Sequence, residues 1–193
     1  MPSLIPPAIT AGSLSAAVQP SFRLGGGSVL RPWLLTDAEA VRTAFEDPEI
    51  QRWHIRRADS VDEARGWIEA WRKDWERETA GHWAVADAED DRLLGRLSLR
   101  DWDLEYGWAE VAYWTTPAAR GRGVCTRAVT GLTDWAFTTA GFDRLELSHS
   151  IANPASCRVA SKAGFAAEGV RRAAGRHLDG LHDMHLHGRV RQD

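Results

Sequence analysis

The order of secondary-structure signals in this chain predicts an α/β fold of the α+β type, a mainly antiparallel sheet with helices on its faces. Three observations carry that expectation. Alternating and helix-spaced apolar runs follow in the order strand, two helices, three strands, helix, strand, helix, two strands. The acidic link Asp87–Asp91 between two alternating runs is hairpin punctuation. No segment repeats at a fixed period, and a repeating βαβ array fits the order poorly.

Taken along the chain, residues 1–20 are rich in Ala, Ser and Pro and are expected to be a poorly ordered extension, with residues 21–193 a single domain. Gly25-Gly26-Gly27 reads as a turn, since no Lys-Ser/Thr pair follows to make it a phosphate loop. A short strand is expected over Val29–Trp33. Thr36, with Glu39 three residues on, forms a capping box for a helix through Val41, Ala44 and Phe45 that Asp47-Pro48 stops. Ser60 and Glu63 form a second box, and Ala64, Trp67, Ile68 and Trp71 recur at helical spacing toward Glu78. Strands are expected over His82–Ala86, Arg92–Trp102 and Glu110–Thr116. In the second of these, Leu93, Leu97 and Leu99 share one face and Arg96, Ser98 and Arg100 the other, the pattern of a sheet covered on one side. Val124, Ala128, Leu132 and Trp135 make one stripe of a helix over Gly123–Thr139, which Gly141 closes. A strand over Arg144–Ile151, a short helix over Asn153–Ala163 and two strands, Phe165–Ala173 and His182–Val190, around a turn at Asp179-Gly180 complete the chain.

Composition narrows the function. A chain of 193 residues suits one domain with a core of its own, and 44% hydrophobic with 26% charged residues is ordinary for a globular protein. The net charge of −3 offers no field for nucleic acid or an anionic membrane. The first residues lack a basic start and are broken by Pro2, Pro6, Pro7 and Pro20, so a signal peptide is not expected. No apolar run reaches about eighteen residues, which argues against a membrane span. Cys125 and Cys157 match neither a metal knuckle nor a redox pair, so two free thiols and a cytoplasmic location are expected. Ten tryptophans, seven of them between Trp33 and Trp102, are expected mostly in the core or in groove walls.

The stretch Tyr113–Thr126 combines a strand, a turn and a glycine-rich entry into the long helix. A helix start leaves N–H groups unpaired at its positive end, which suits a pyrophosphate. Gly121 and Gly123 let those amides approach an anion, and Arg120 and Arg122 add charge and donors. The Rossmann fingerprint fails for want of a third glycine and a downstream acid, and the P-loop for want of Lys and Ser/Thr in register.

Here the chain resembles the GNAT N-acetyltransferase superfamily. The family's cofactor motif, Gln or Arg, two residues, Gly, one residue, then Gly or Ala, reads Arg120-Gly121-Arg122-Gly123-Val124-Cys125, with Cys125 a small apolar departure. The resemblance runs from about Val29 to Val190. Asp47-Pro48-Glu49-Ile50, Glu110-Val111-Ala112-Tyr113-Trp114, Asn153-Pro154-Ala155-Ser156 and Ala160-x-Lys162-x-Gly164-Phe165 point to the RimJ/RimL-like branch, named for ribosomal-protein N-terminal acetyltransferases.

The resemblance implies a sheet splayed between its central strands and acetyl-CoA as co-substrate. The pantetheine arm would lie along Trp114, Thr115 and Thr116, and the diphosphate on the amides of Arg120, Gly121, Arg122, Gly123, Val124, Cys125 and Thr126. It implies Glu110 as base, Ser156 as the donor to the departing sulfur and Asn153 as a contact to the arm. Alongside these stand a solvated strand-end glutamate and a serine that only caps its helix. His149 shares a face with Leu145 and Leu147 and is either a second candidate base or a hydrogen-bonded core ring. The acceptor cleft is expected to draw on Trp53, His54, Arg56 and Arg57 from the link between the first helices, unless that Arg-rich link is simply a solvated surface, on His149, and on His177 and Asp179 from the last hairpin. For metals nothing is expected: strand alternation separates His182 from His185 and His187, and only Asp183 stands near as a further ligand. The acceptor, a protein N-terminus or a small-molecule amine, is left open. So are a homodimer and the alternative of a CoA-binding regulator without turnover.

Overall fold

The computed structural model describes residues 4–193; residues 1–3 of the expected extension lie outside it. Eight strands form one sheet in the order β1-β2-β3-β4-β5-β6-β8-β7. They are β1 (Phe22–Leu24), β2 (Ser28–Pro32), β3 (Gly81–Asp87), β4 (Leu93–Asp103), β5 (Trp108–Thr115), β6 (Arg144–Ser150), β7 (Ala166–His177) and β8 (Gly180–Val190). Five helices pack around it: α1 (Ala38–Ala44), α2 (Pro48–Gln51), α3 (Val61–Glu76), α4 (Val124–Trp135) and α5 (Pro154–Lys162). All neighbouring strands pair antiparallel except β5 and β6, which run parallel.

Two elements escaped the sequence reading. β1 is three residues long and closes a hairpin with β2 around the triple glycine. α2 is a single turn begun by Asp47, whose carboxylate accepts from the Glu49 amide at 3.1 Å, with Pro48 in the position where a missing N–H costs nothing. The Ser60–Glu63 box caps α3 as expected. The Thr36 box does not form. A 3₁₀ turn over Leu35–Asp37 precedes α1, and Asp37 takes the Leu34 amide at 2.8 Å while pairing with Arg31 at 2.8 Å.

The sheet is covered on both faces, not one. A β-bulge shifts the β3–β4 register so that Val85 faces Gly95 but Ala86 faces Leu93. Leu97 and Leu99 therefore join Trp83, Val85 and the α4 stripe in one core, whereas Leu93 joins Trp33, Ala84, Trp114 and the apolar faces of α1 and α3 in another. On the polar side of β4, Ser98 is buried and Arg96 half-buried, while Arg100 is exposed. Arg96 lies over the Trp71 ring at 4.6 Å and donates to Ser98 Oγ at 2.8 Å and to His82 Nδ1 at 3.1 Å. Because arginine can only donate, His82 carries its proton on Nε2 and gives it to Asp74 at 3.2 Å.

Of the segment expected to be poorly ordered, the part from Ala8 to Pro20 is instead tied to the domain. Ile9 and Leu14 are in the core, and the amides of Leu14 and Ser15 donate to the buried Glu78 carboxylate at 2.8 and 2.9 Å. The indole N–H groups of Trp75 and Trp83 donate to the carbonyls of Ala17 and Pro20. A buried carboxylate and two buried indoles need partners, and this segment supplies them. Among the described residues no helix is long and apolar enough to cross a membrane.

Burial holds His82 at a pKa of about 4 against its ordinary 6.5, Asp74 pulling the other way. As pH falls, the unfolded chain takes up this proton before the folded one does. Stability is thus complete above about pH 6.5 and lost progressively toward pH 4, by about 3 kcal/mol for this ring. Denaturant unfolding measured in steps across that window should show the decline, and His82→Gln should flatten it; an equal slope in both proteins would contradict the assignment.

Candidate active site

β5 and β6 pair only from Trp108–Glu110 to Arg144–Glu146 and then part. In the opening lies a cleft of about 820 Å³, lined by the second half of β5, the loop into α4, the start of α5 and the stretch Glu49–His54.

The loop into α4 begins where Pro117 ends β5. Gly121 and Gly123 both have φ of +72°, a region closed to most side chains. A Cβ on Gly121 would meet nothing within 4 Å, so the glycine is there for its backbone alone. Gly123 caps α4 without any side-chain bond, and among the described residues the amides of residues 121–126 have no partner. The next amide, of Arg127, pairs with the Gly123 carbonyl at 3.1 Å. A cradle of unpaired donors at a helix start, on the floor of a large cleft, fits a diphosphate.

The sequence candidates divide. Trp114, Thr115, Arg120, Gly121, Gly123, Val124, Cys125, Thr126, Asn153 and Ser156 line the cleft, as do Trp53 and His54. Burial pushes the Cys125 thiol up to about 12, so it packs as a neutral apolar group. Thr116 does not line the cleft: its amide and hydroxyl both donate to the Leu94 carbonyl, at 2.9 and 3.2 Å. Arg122 is exposed outside it, with its carbonyl accepting from Arg127 at 3.0 Å. Arg120 forms an ion pair with Asp47, which ties the cofactor loop to α2 across the cleft. This pair gives the Asp-Pro-Glu-Ile stretch a role that sequence spacing could not show.

Asn153 caps α5 by accepting from the Ser156 amide at 3.1 Å. Ser156 is buried, and its Oγ lies 2.7 Å from the Tyr113 hydroxyl. Burial holds the Tyr113 phenol far above its ordinary pKa, the neighbouring Cys125 adding to it. Tyr113 was not among the candidates, since its partner on α5 lies 43 residues away in the chain.

Glu110 sits at the vertex where the strands part. Its carboxylate accepts from Arg100 at 2.9 Å, and it does not line the cleft. His54 donates from Nδ1 to the Ile50 carbonyl at 2.7 Å, leaving Nε2 with the lone pair. Burial draws the His54 pKa below its ordinary value, against the pull of that carbonyl. Trp53 packs edge-on against His177 and His182, with centroids 5.6 and 6.3 Å away. The His177 ring borders the acceptor end through Trp53 without lining the cleft. Arg56 is exposed and outside the cleft, and His149 is buried on the sheet beneath α5 with its Nδ1 bound to the Ser150 carbonyl at 2.8 Å. Neither lines the cleft, and His149 stands instead beside Cys157 on the α5 side of β6.

The acetyltransferase (GNAT) domain model matches residues 28–166. A probable N-acetyltransferase of Bacillus subtilis, YjcK, is 32% identical over 151 residues, covering 74% of this chain and 82% of that protein. Among solved structures, RimL, a ribosomal L7/L12 alpha-N-protein acetyltransferase in complex with coenzyme A, superposes with a TM-score of 0.83 at 18% identity. The match covers 89% of this chain and 98% of that one. The microcin C7 self-immunity acetyltransferase MccE, solved with acetyl-CoA and AMP, gives 0.78 at 20% identity over 86% and 93% of the two chains. With its splayed sheet and its amide cradle, the chain belongs to the GNAT acetyltransferase family and is an acetyl-CoA-dependent N-acetyltransferase.

Proposed function

We propose that the chain transfers acetyl directly to a primary amine, on a protein N-terminus or a small molecule, with both substrates bound together. The observation that supports this reading is a hydroxyl pair, buried Ser156 and half-buried Tyr113, in the same cleft as the unpaired amides. Acetyl-CoA supplies the thioester carbon that the amine attacks.

The chain's own residues supply the rest. The amides of residues 121–126 bind and orient the diphosphate, which fixes the thioester end toward α5. Ser156, backed by a phenol that keeps its proton at neutral pH, donates to the departing sulfur. On the acceptor side an alkylamine, with a pKa of about 10, arrives mostly protonated and needs a proton acceptor. His54 lines the cleft as a neutral ring with a free lone pair and takes that role ahead of Glu110, whose carboxylate is held by Arg100. The Trp53 ring, backed edge-on by His177 and His182, offers a wall for the apolar part of the acceptor.

The cradle is tested by Gly121→Val. A β-branched residue strains a left-handed position by about 1–2 kcal/mol, the loop relaxes and its amides turn away, so the calorimetric Kd for acetyl-CoA should rise about tenfold with the fold unchanged. Equal affinity would remove the loop from the site. Ser156→Ala should lower kcat by about 10²-fold with little change in the KM for acetyl-CoA, and Tyr113→Phe should lower it less. A kcat untouched by either leaves Ser156 as a helix residue only.

The proton acceptor is decided by pH profiles. Activity of the native protein should fall as pH drops below the ordinary histidine range and His54 protonates, and His54→Gln should abolish that limb and cost about 10²-fold or more in kcat. Loss of the limb in Glu110→Gln, with His54→Gln retaining it, would assign the role to Glu110. Single-turnover consumption of acetyl-CoA against a panel of amines separates transfer from regulation: tight binding with no acetylated product would favour a CoA-binding regulator.

A further inference from the structure

Four side chains outside the cleft converge beneath α5. His149 on β6 stands directly opposite His185 on β8, and His187 follows two residues along the same face of β8. Cys157, in the first turn of α5, closes the group from above. One ligand atom from each of His149, Cys157, His185 and His187 lies within 4.8 Å of every other. His149 and His187 are buried and the other two are half-buried.

Proton positions sharpen the picture. His149 Nδ1 faces the Ser150 carbonyl at 2.8 Å and must carry the hydrogen, so Nε2 holds a lone pair. That lone pair faces His187 Nε2 at 3.1 Å. If His187 gives a proton to it, His187 Nδ1 is left as a buried acceptor without a donor. If both Nε2 atoms instead point lone pairs at a cation, His187 carries its hydrogen on Nδ1, and the Phe165 carbonyl is its neighbouring acceptor. His149, which offers Nε2 inward while a backbone carbonyl holds its Nδ1, has the outer-shell arrangement of a metal-bound histidine. The spacing agrees, since two nitrogens at the usual zinc distance across a tetrahedral angle lie about 3.3 Å apart.

We propose that His149, Cys157, His185 and His187 form a binding site for a tetrahedral divalent transition metal of the zinc type. Sequence order hid it, because the ligands come from β6, α5 and β8. His182, separated by alternation as expected, bonds Ser150 and Asp179 instead. On binding, the Cys157 thiol loses its proton to solvent and the thiolate coordinates the ion. The ion ties α5 to the sheet at the residue next to Ser156, and so holds the cleft-lining hydroxyl against Tyr113.

The full-length protein, stripped with chelator, is titrated with Zn²⁺ alone and with Co²⁺ alone. One ion per chain is expected, with a thiolate-to-cobalt charge-transfer band and the visible bands of tetrahedral Co²⁺, and Zn²⁺ should raise the thermal midpoint. Cys157→Ser should abolish the charge-transfer band. It and His185→Ala should each weaken Zn²⁺ binding at least about tenfold, the least that losing even an outer-shell partner costs. Circular dichroism of both metal-free variants checks that they fold, and Cys157→Ser is close enough in size to settle the matter alone. No uptake at micromolar metal, or uptake of equal affinity in both variants, overturns the site.

Discussion

Everything functional in this molecule depends on two parallel strands that stop pairing. β5 and β6 share hydrogen bonds only up to Glu110 and Glu146, after which β5 stays with β4 and β6 stays with β8. The interior of an eight-stranded sheet thereby gains an edge. Backbone groups that would satisfy one another across a continuous sheet face a cleft instead, and burying them without partners would be costly. The same divergence sets the mouth of α4 on one flank and the first turn of α5 on the other. A thread-like ligand with a charged diphosphate and an extended arm meets both needs at once, which is what coenzyme A offers.

Keeping that opening in place requires rigidity elsewhere, and the tryptophans provide it. Trp75, Trp83, Trp102 and Trp135 contact one another on the α4 side of the sheet, while Trp33, Trp67 and Trp71 pack with Phe45 and Trp114 on the α1–α3 side. Their area locks β2–β5 as a unit. Each aromatic core also has a polar fastening. Glu78 binds the N-terminal segment that receives the indole protons of Trp75 and Trp83, and the His82–Asp74–Ser98–Arg96 chain sits beneath Trp71. Charge inside the fold is thus tied to packing, and fully bonded networks of this kind set side chains more narrowly than apolar contacts alone.

Local chemistry was readable to the extent that its partners are close in the chain. The Ser60–Glu63 box, the proline after Asp47, the glycines at 121 and 123 and the Asn153 cap each involve residues a turn apart, and each appears in the structure. The alternation of β4 failed at one point, Leu93, because a bulge is one extra residue whose presence depends on the partner strand. The packing of the N-terminal segment failed for a similar reason. Its composition reads as a loop, and the carboxylate that orders it is more than sixty residues away.

The sequence by itself determined most of the elements, their order, the glycine-rich entry to α4 and the family, because these rest on short-range sterics, capping and a motif of adjacent residues. Only the tertiary structure decided which side chains meet. Tyr113 finds Ser156 across the cleft, Asp47 finds Arg120, Arg100 engages Glu110, and His149 joins Cys157, His185 and His187. Those pairings follow from strand register, from the splay and from where α5 lands on the sheet. None of these is written in any one stretch of chain, since each results from the burial of many residues at once.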